Sequence, residues 1–150
     1  MKTSILPIVT SALALCVSAA RAEPYVDYTP QKGAFHAITV KVDPNHIDDY
    51  LTGLKKTWIP GEELAKKHGL IDGYQIMVKI NSSDGQGNVL LIEHLTSLGI
   101  MEPDQVRDQT IEKEGYAMVP KASGEAQVRD FDKYRSFVGD DFWQVMAPTK

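Results

Sequence analysis

Two stretches of the chain divide into two faces with the period of a β-strand, and a third is a short apolar run. In residues 35–42 the even-numbered side chains from His36 to Val42 share one face, and the odd-numbered ones from Phe35 to Lys41 share the other. Residues 74–80 repeat this pattern. Residues 89–96 form a third apolar run after a loop, residues 81–88, that is rich in Asn, Ser, Asp and Gly. The short polar connection predicts that the second and third strands pair antiparallel.

Helical spacing separates the first two strands. Asp43, Pro44 and Asn45 supply a turn and an N-cap, and apolar residues then recur at the period of an amphipathic helix: Ile47, Tyr50, Leu51, Leu54 and Trp58. Pro60 removes a backbone donor, which predicts a bend or restart at that residue before the helix continues to His68. Gly69 is expected to end the helix in a left-handed conformation.

The C-terminal third has a weaker pattern. Pro103 and Asp104 open a second helical region, which Gly115, Pro120 and Gly124 interrupt, and residues 141–147 are the predicted last strand. The course of residues 115–140 stays undetermined. The order β, α, β, β, α, β predicts an α+β protein with a ferredoxin-like antiparallel sheet and its helices on one face, formed by residues 35–147 after an extended lead-in at residues 23–34.

Such a sheet leaves one face uncovered. That face would carry Phe35, Met77 and, depending on register, either Val89 with Leu91 or Leu90 with Ile92. An exposed apolar area of that size predicts a partner, and a face-to-face homodimer that encloses a barrel-like interior is the natural solution.

A bent helix that runs through a glycine into a strand carries a resemblance to a known superfamily. Its residues are Trp58, Pro60, Glu63, Lys67, Gly69, Ile71, Gly73 and Tyr74. Over residues 35–100 the chain resembles the dimeric α+β barrels, in particular exported bacterial members related to antibiotic-biosynthesis monooxygenases and NIPSNAP-type proteins. The resemblance implies a fold that hosts oxygenases, haem degraders, lyases and binding proteins, so it does not select one function.

The N-terminus predicts a secretory signal peptide over residues 1–22. Lys2 precedes a short apolar stretch, and Ala20 and Ala22 satisfy the small-residue rule for cleavage before Glu23. We therefore expect a periplasmic or secreted protein. A lipid attached at Cys16 is the lesser alternative, because Leu15 is not the small residue that such a site needs.

The composition after that cut excludes several chemistries. No cysteine remains, which rules out disulfides, thiolate nucleophiles and Cys-ligated metals. Losing Lys2 and Arg21 leaves 14 basic against 20 acidic residues, so the formal charge moves from -4 to -6 and nucleic acid is an unlikely partner. No apolar run in the mature chain is long enough to span a membrane.

The four histidines, His36, His46, His68 and His94, lie ten or more positions apart, so none forms a local metal pair and no metal site is predicted. His36 and His94 lie on predicted strands and are the candidate catalytic residues, since imidazole titrates near neutral pH. Glu93 and His94 point to opposite faces of their strand, which prevents them from acting as an adjacent acid and base. The carboxylate pairs Glu62 with Glu63 and Asp140 with Asp141 are interpreted as solvated caps.

The face expected to look into the barrel offers a candidate ligand lining of mixed polarity. Its members are Thr39, Lys41, Gln75, Met77 and Lys79, with Trp58 as a possible wall. Such a lining suits a small polar or anionic ligand, although strand lysines also often extend to solvent at the ends of a sheet. No cofactor is predicted, and three functions stay open: a small-molecule-binding or non-catalytic barrel, a cofactor-independent or haem-linked monooxygenase-like enzyme, and a structural or partner-binding envelope protein.

Overall fold

The computed structural model describes residues 22–81 and 86–149. Its elements are β1 (Tyr28–Pro30), β2 (Ala34–Val42), α1 (Ile47–Leu54), α2 (Trp58–Lys67), β3 (Ile71–Val78), β4 (Val89–Leu95), α3 (Gln105–Met118), α4 (Lys121–Phe131), β5 (Arg135–Trp143) and β6 (Met146–Pro148). The predicted α+β class is confirmed. The signal-peptide prediction concerns residues 1–22, of which all but Ala22 lie outside the described residues.

The main sheet has four strands in the order β3-β4-β2-β5, and every neighbouring pair is antiparallel. The predicted antiparallel pairing of the strands around residues 81–88 is confirmed, with Val78 opposite Val89. The element order and this sheet are compatible with a ferredoxin-like fold. In the described ranges, no helix is both long enough and apolar enough to cross a membrane.

A second, two-stranded sheet lies where the sequence predicted an extended lead-in and a single last strand. Tyr28 in β1 pairs with Pro148 in β6, and the Gln31 amide donates to the Val145 carbonyl at 2.8 Å. Gly33, with φ +78°, turns the chain from β1 into β2, and a Cβ there would lie 2.4 Å from the Leu95 carbonyl oxygen. The lead-in therefore contains a strand, and the predicted segment 141–147 is divided between β5 and β6.

The first helix ends before Pro60, where the sequence predicted a bend or restart. The α1 helix closes at Leu54, and α2 begins at Trp58, so Pro60 occupies the first turn of a new helix. A proline there costs no hydrogen bond, because the amides of a first turn have no intrahelical partner. Gly69 adopts φ +70° just after α2, as predicted.

The C-terminal third contains two helices and a strand that begins early. The α3 helix, capped by Asp104, runs through Gly115 to Met118, and α4 follows directly after Pro120. The β5 strand then starts at Arg135, six residues before the predicted last strand. A bulge places Gly139 opposite Thr39 but Phe137 opposite Val40, which breaks the period-two pattern that would reveal the strand in the sequence.

The core lies between the helices and one face of the sheet. Val40 and Val42 of β2 and Val89 and Leu91 of β4 pack there against Tyr50, Leu54 and Phe131 of the helices. The α1 helix approaches closely at Gly53, where a Cβ would lie 2.3 Å from the Phe131 ring. We call this side of the sheet the helix face.

The opposite side, which we call the open face, carries the side chains of alternating residues on all four strands: Phe35, Ala37, Thr39 and Lys41; Gln75 and Met77; Leu90, Ile92 and His94; Asp141 and Trp143. The register thus selects Leu90 and Ile92 for this face, the second of the two predicted alternatives. Met77 and Trp143 are large exposed hydrophobic residues on it.

Candidate functional site

The two candidate histidines lie on opposite sides of the sheet. His36 belongs to the helix face, where it is paired in register with Glu93 of β4. His94 lies on the open face, paired in register with Phe35. As predicted, Glu93 and His94 point in opposite directions, so the sheet separates two distinct polar centres.

His36 links three strands through its two ring nitrogens. Nδ1 lies 3.0 Å from Glu93 Oε2 and Nε2 lies 2.6 Å from Asp140 Oδ1, while the ring stacks on Phe142 with centroids 4.5 Å apart. Burial opposes the charged imidazole, but the hydrogen bonds to Glu93 and Asp140 and their negative charges outweigh it and raise the pKa of His36. When protonated, the ring donates a hydrogen bond to each carboxylate.

A buried glutamate from α2 completes this centre, which we call the His36 cluster: His36, Glu62, Glu93 and Asp140. Glu62 is only 7 % exposed. Desolvation, followed by the charge and the hydrogen bond of Glu93, raises the pKa of Glu62 to about 8. At neutral pH Glu62 is therefore mainly protonated and donates a hydrogen bond to Glu93.

The interpretation of Glu62 as a solvated cap was wrong, because Glu62 is buried. Asp140 is exposed as expected, but it lies within β5 and bonds to His36. Glu62 lies one turn after Trp58 and three residues before Ala65, on the side of α2 that faces the sheet, so helical spacing was a signal that could have found it. Glu63, its neighbour, does point outwards and accepts a hydrogen bond from the Tyr74 hydroxyl at 2.7 Å. Asp140 was missed because the bulge in β5 hides its pairing.

His94 has a different environment on the open face. Its ring packs edge-on against Phe35 with centroids 4.3 Å apart, and Nδ1 lies 3.7 Å from Asp72 Oδ1. Its Nε2 is buried and has no hydrogen-bond partner within the described residues. A buried ring nitrogen without a partner is uncommon in proteins.

Three of the predicted ligand-lining residues come together. Thr39, Met77 and Lys79 line a cavity of about 240 Å³ on the open face, roofed by Gly87 and Asn88 and bordered by Leu90. Gly87 is required there, because a Cβ would lie 2.3 Å from the Thr39 methyl group. Asn88 fixes this roof by donating from its side chain to the Val42 carbonyl and accepting from the Val42 amide, both at 2.8 Å.

The remaining candidates lie apart from this cavity. Lys41 and Gln75 share the open face but are exposed outside it. Trp58 lies on the other side of the sheet, where it packs against the core and meets Tyr74 edge-on with centroids 5.4 Å apart. Within the described residues, no group of three or more His, Cys, Asp or Glu side chains could hold a metal ion.

Comparisons with protein-family models, with curated proteins and with solved structures find no match for this chain.

Proposed function

We propose that the protein is exported, adopts the ferredoxin-like fold and forms a face-to-face homodimer, whose two open faces enclose a chamber for a small polar or anionic molecule. The observation that carries this proposal is the apolar open face. A four-stranded sheet with all its packed helices on one side exposes Met77 and Trp143 to water and leaves Leu90 and Ile92 half-buried. Contiguous apolar area of this kind marks an interface.

The charges on the open face favour a second copy of the same chain. Lys41 and Lys79 lie at one end of the strands, while Asp72 and Asp141 lie towards the other. A two-fold axis in the plane of the sheet and perpendicular to the strands brings the basic end of one protomer over the acidic end of its partner. An isologous interface then matches charges in two symmetric places.

The chamber is supported by the groups that face it. The cavity beside Thr39 and Met77 is open in the protomer and would be closed by a second sheet. Lys41, two residues beyond Thr39 on β2, supplies positive charge. A mainly apolar wall with a few convergent polar groups is the usual composition of a small-molecule site.

Light scattering tests the dimer. We expect the purified protein to have twice the mass of one chain and the Met77→Glu variant to have the mass of one chain, because a buried unpaired carboxylate in the interface costs several kcal/mol. Met118→Glu is the matched control, since Met118 is equally exposed but lies in the helical layer, and it should stay dimeric. A monomeric unmodified protein would refute the face-to-face pairing.

Benzoate, a small aromatic anion, probes the chamber. In protein labelled with ¹³C at the methionine methyl groups, benzoate is expected to shift the Met77 signal and leave that of Met118 in place. Lys41→Met should weaken this binding on the order of tenfold by removing a charge-assisted contact. Lys55→Met removes a lysine from the helical layer and should have no effect. A dimer whose Met77 signal does not respond would retain the pairing but refute the ligand class.

A further inference from the structure

A second cavity lies among the helices, on the side of the molecule away from the open face. It has a volume of about 430 Å³ and runs between the start of α2 and the α3–α4 pair. We call it the helical groove. Its apolar lining includes Tyr116, Met118 and Val128, which are large hydrophobic side chains left exposed to water. Its volume lies within the range of small-molecule sites.

Three helical glycines line the helical groove, and the protein's own packing requires none of them. A Cβ at Gly61 would meet nothing within 4 Å, one at Gly115 would lie 3.8 Å from Leu64, and one at Gly124 would lie 3.5 Å from Val119. A Cβ at these three positions would make ordinary contacts or none, whereas one at Gly53 would overlap the Phe131 ring. Glycine inside a helix is less stable than alanine, so three such positions keep space open at a cost to the fold.

The charges around the helical groove indicate what would fill it. Among the groups that line the groove, Glu112 and Glu125 contribute two carboxylates and Lys121 one ammonium, while Arg129 lies outside the lining at 3.8 Å from Glu125. Lys121 Nζ lies 5.7 Å from the centroid of the Tyr116 ring, so this ring already accepts a cation from the protein itself. Lys121 is carried by a flexible four-carbon stem and can move aside for a competing cation.

We propose that the helical groove binds an amphipathic cation, a molecule with an apolar body and one amine or quaternary ammonium group. The apolar body lies over the three glycines and against Met118 and Val128. The ammonium replaces Lys121 on the Tyr116 ring, within the field of the two carboxylates. This inference does not depend on the chamber on the open face.

Decyltrimethylammonium, used below its micelle-forming concentration, tests the site in methionine-labelled protein. The Met118 methyl signal is expected to shift and the Met77 signal to stay in place. Decyl sulfate, with the same chain and opposite charge, should bind at least about tenfold more weakly. Lys121→Met is expected to tighten binding of the cation about threefold by removing its competitor, and Glu112→Gln to weaken it by a similar factor.

Substituting a glycine of the helical groove provides a second test, because the change should raise stability and weaken binding. Gly61→Ala is expected to raise the thermal midpoint by about 2–4 °C because alanine favours the helix, and to weaken the cation about tenfold because its methyl group enters the groove. Ser123→Ala improves helix propensity in α4 outside the groove and should raise the midpoint while leaving affinity unchanged. Equal affinity in the Gly61 variant, equal binding of the sulfate, or a shift at Met77 instead of Met118 would each overturn the proposal.

Discussion

Replacing Glu62 with glutamine is expected to stabilise the protein by about 3 kcal/mol at pH 9 and to change its stability little at pH 4. The amide keeps the size of the side chain and can still donate a hydrogen bond to Glu93, but it cannot ionise in its buried position. Urea unfolding at both pH values measures the effect. Glu63→Gln is the matched control: Glu63 is exposed, and its hydrogen bond from Tyr74 lowers its pKa.

Stability falls with rising pH because folded Glu62 retains a proton that the unfolded chain releases. The pKa of Glu62 rises from 4.5 to about 8 on folding, so between these values the folded protein holds a proton that the unfolded chain has released. Stability is therefore highest below pH 4.5 on account of this group and is lost as the pH rises to about 8. The raised pKa of His36 acts in the same direction, because its contribution is present below pH 6.5 and is lost as the pH rises through the folded value.

A wild-type protein whose stability does not fall between pH 5 and pH 8, or a Glu62→Gln variant that retains the full slope, would contradict this account. In the Glu62 variant, the part of the slope that remains measures His36 separately. Since Glu63 titrates with a lowered pKa, removing its charge should leave the alkaline loss unchanged.

The sequence predicted those parts of the fold in which one periodic pattern runs uninterrupted. The β2 and β4 strands are runs rich in apolar residues that no proline or glycine interrupts, and their bounds agree with the prediction within about one residue. Where two patterns overlap, prediction failed. The helix boundary was predicted at Pro60, although a proline in the first turn of a helix does not disrupt the helix. The bulge at Gly139 interrupts the alternation in β5, so the first half of that strand was not predicted.

The candidate site was only half predictable for a related reason. Alternation correctly placed Glu93 and His94 on opposite faces of their strand. The His36 cluster joins residues of α2, β2, β4 and β5, up to 104 positions apart in the chain, and no local spacing links them. Burial of Glu62 depends on the angle at which α2 packs on the sheet, a property that helical spacing restricts but does not determine.

Replacing His36 with phenylalanine is expected to destabilise the protein by about 2–3 kcal/mol at pH 6. The new ring can still stack on Phe142, so apolar contact is conserved while both carboxylate contacts are lost. Asp140 is largely exposed and can turn to water. Glu93 is only 20 % exposed and adjoins Glu62, so the change leaves a mostly buried carboxyl group without its hydrogen-bond partner on His36. Most of the cost therefore belongs to Glu93.

Further substitutions test whether most of the cost of His36→Phe comes from Glu93. His46 also bonds to a carboxylate and stacks on an aromatic ring, but in a more exposed position: its Nδ1 lies 3.0 Å from Asp49 and its ring lies 4.7 Å from that of Tyr134. His46→Phe should therefore cost less than about 1 kcal/mol. Adding Glu93→Gln to the His36→Phe variant should restore most of the lost stability, whereas adding Asp140→Asn should restore little. Urea unfolding of the four variants at pH 6 decides the matter. Equal costs at His36 and His46 would mean that the His36 cluster contributes no more to stability than a surface ion pair.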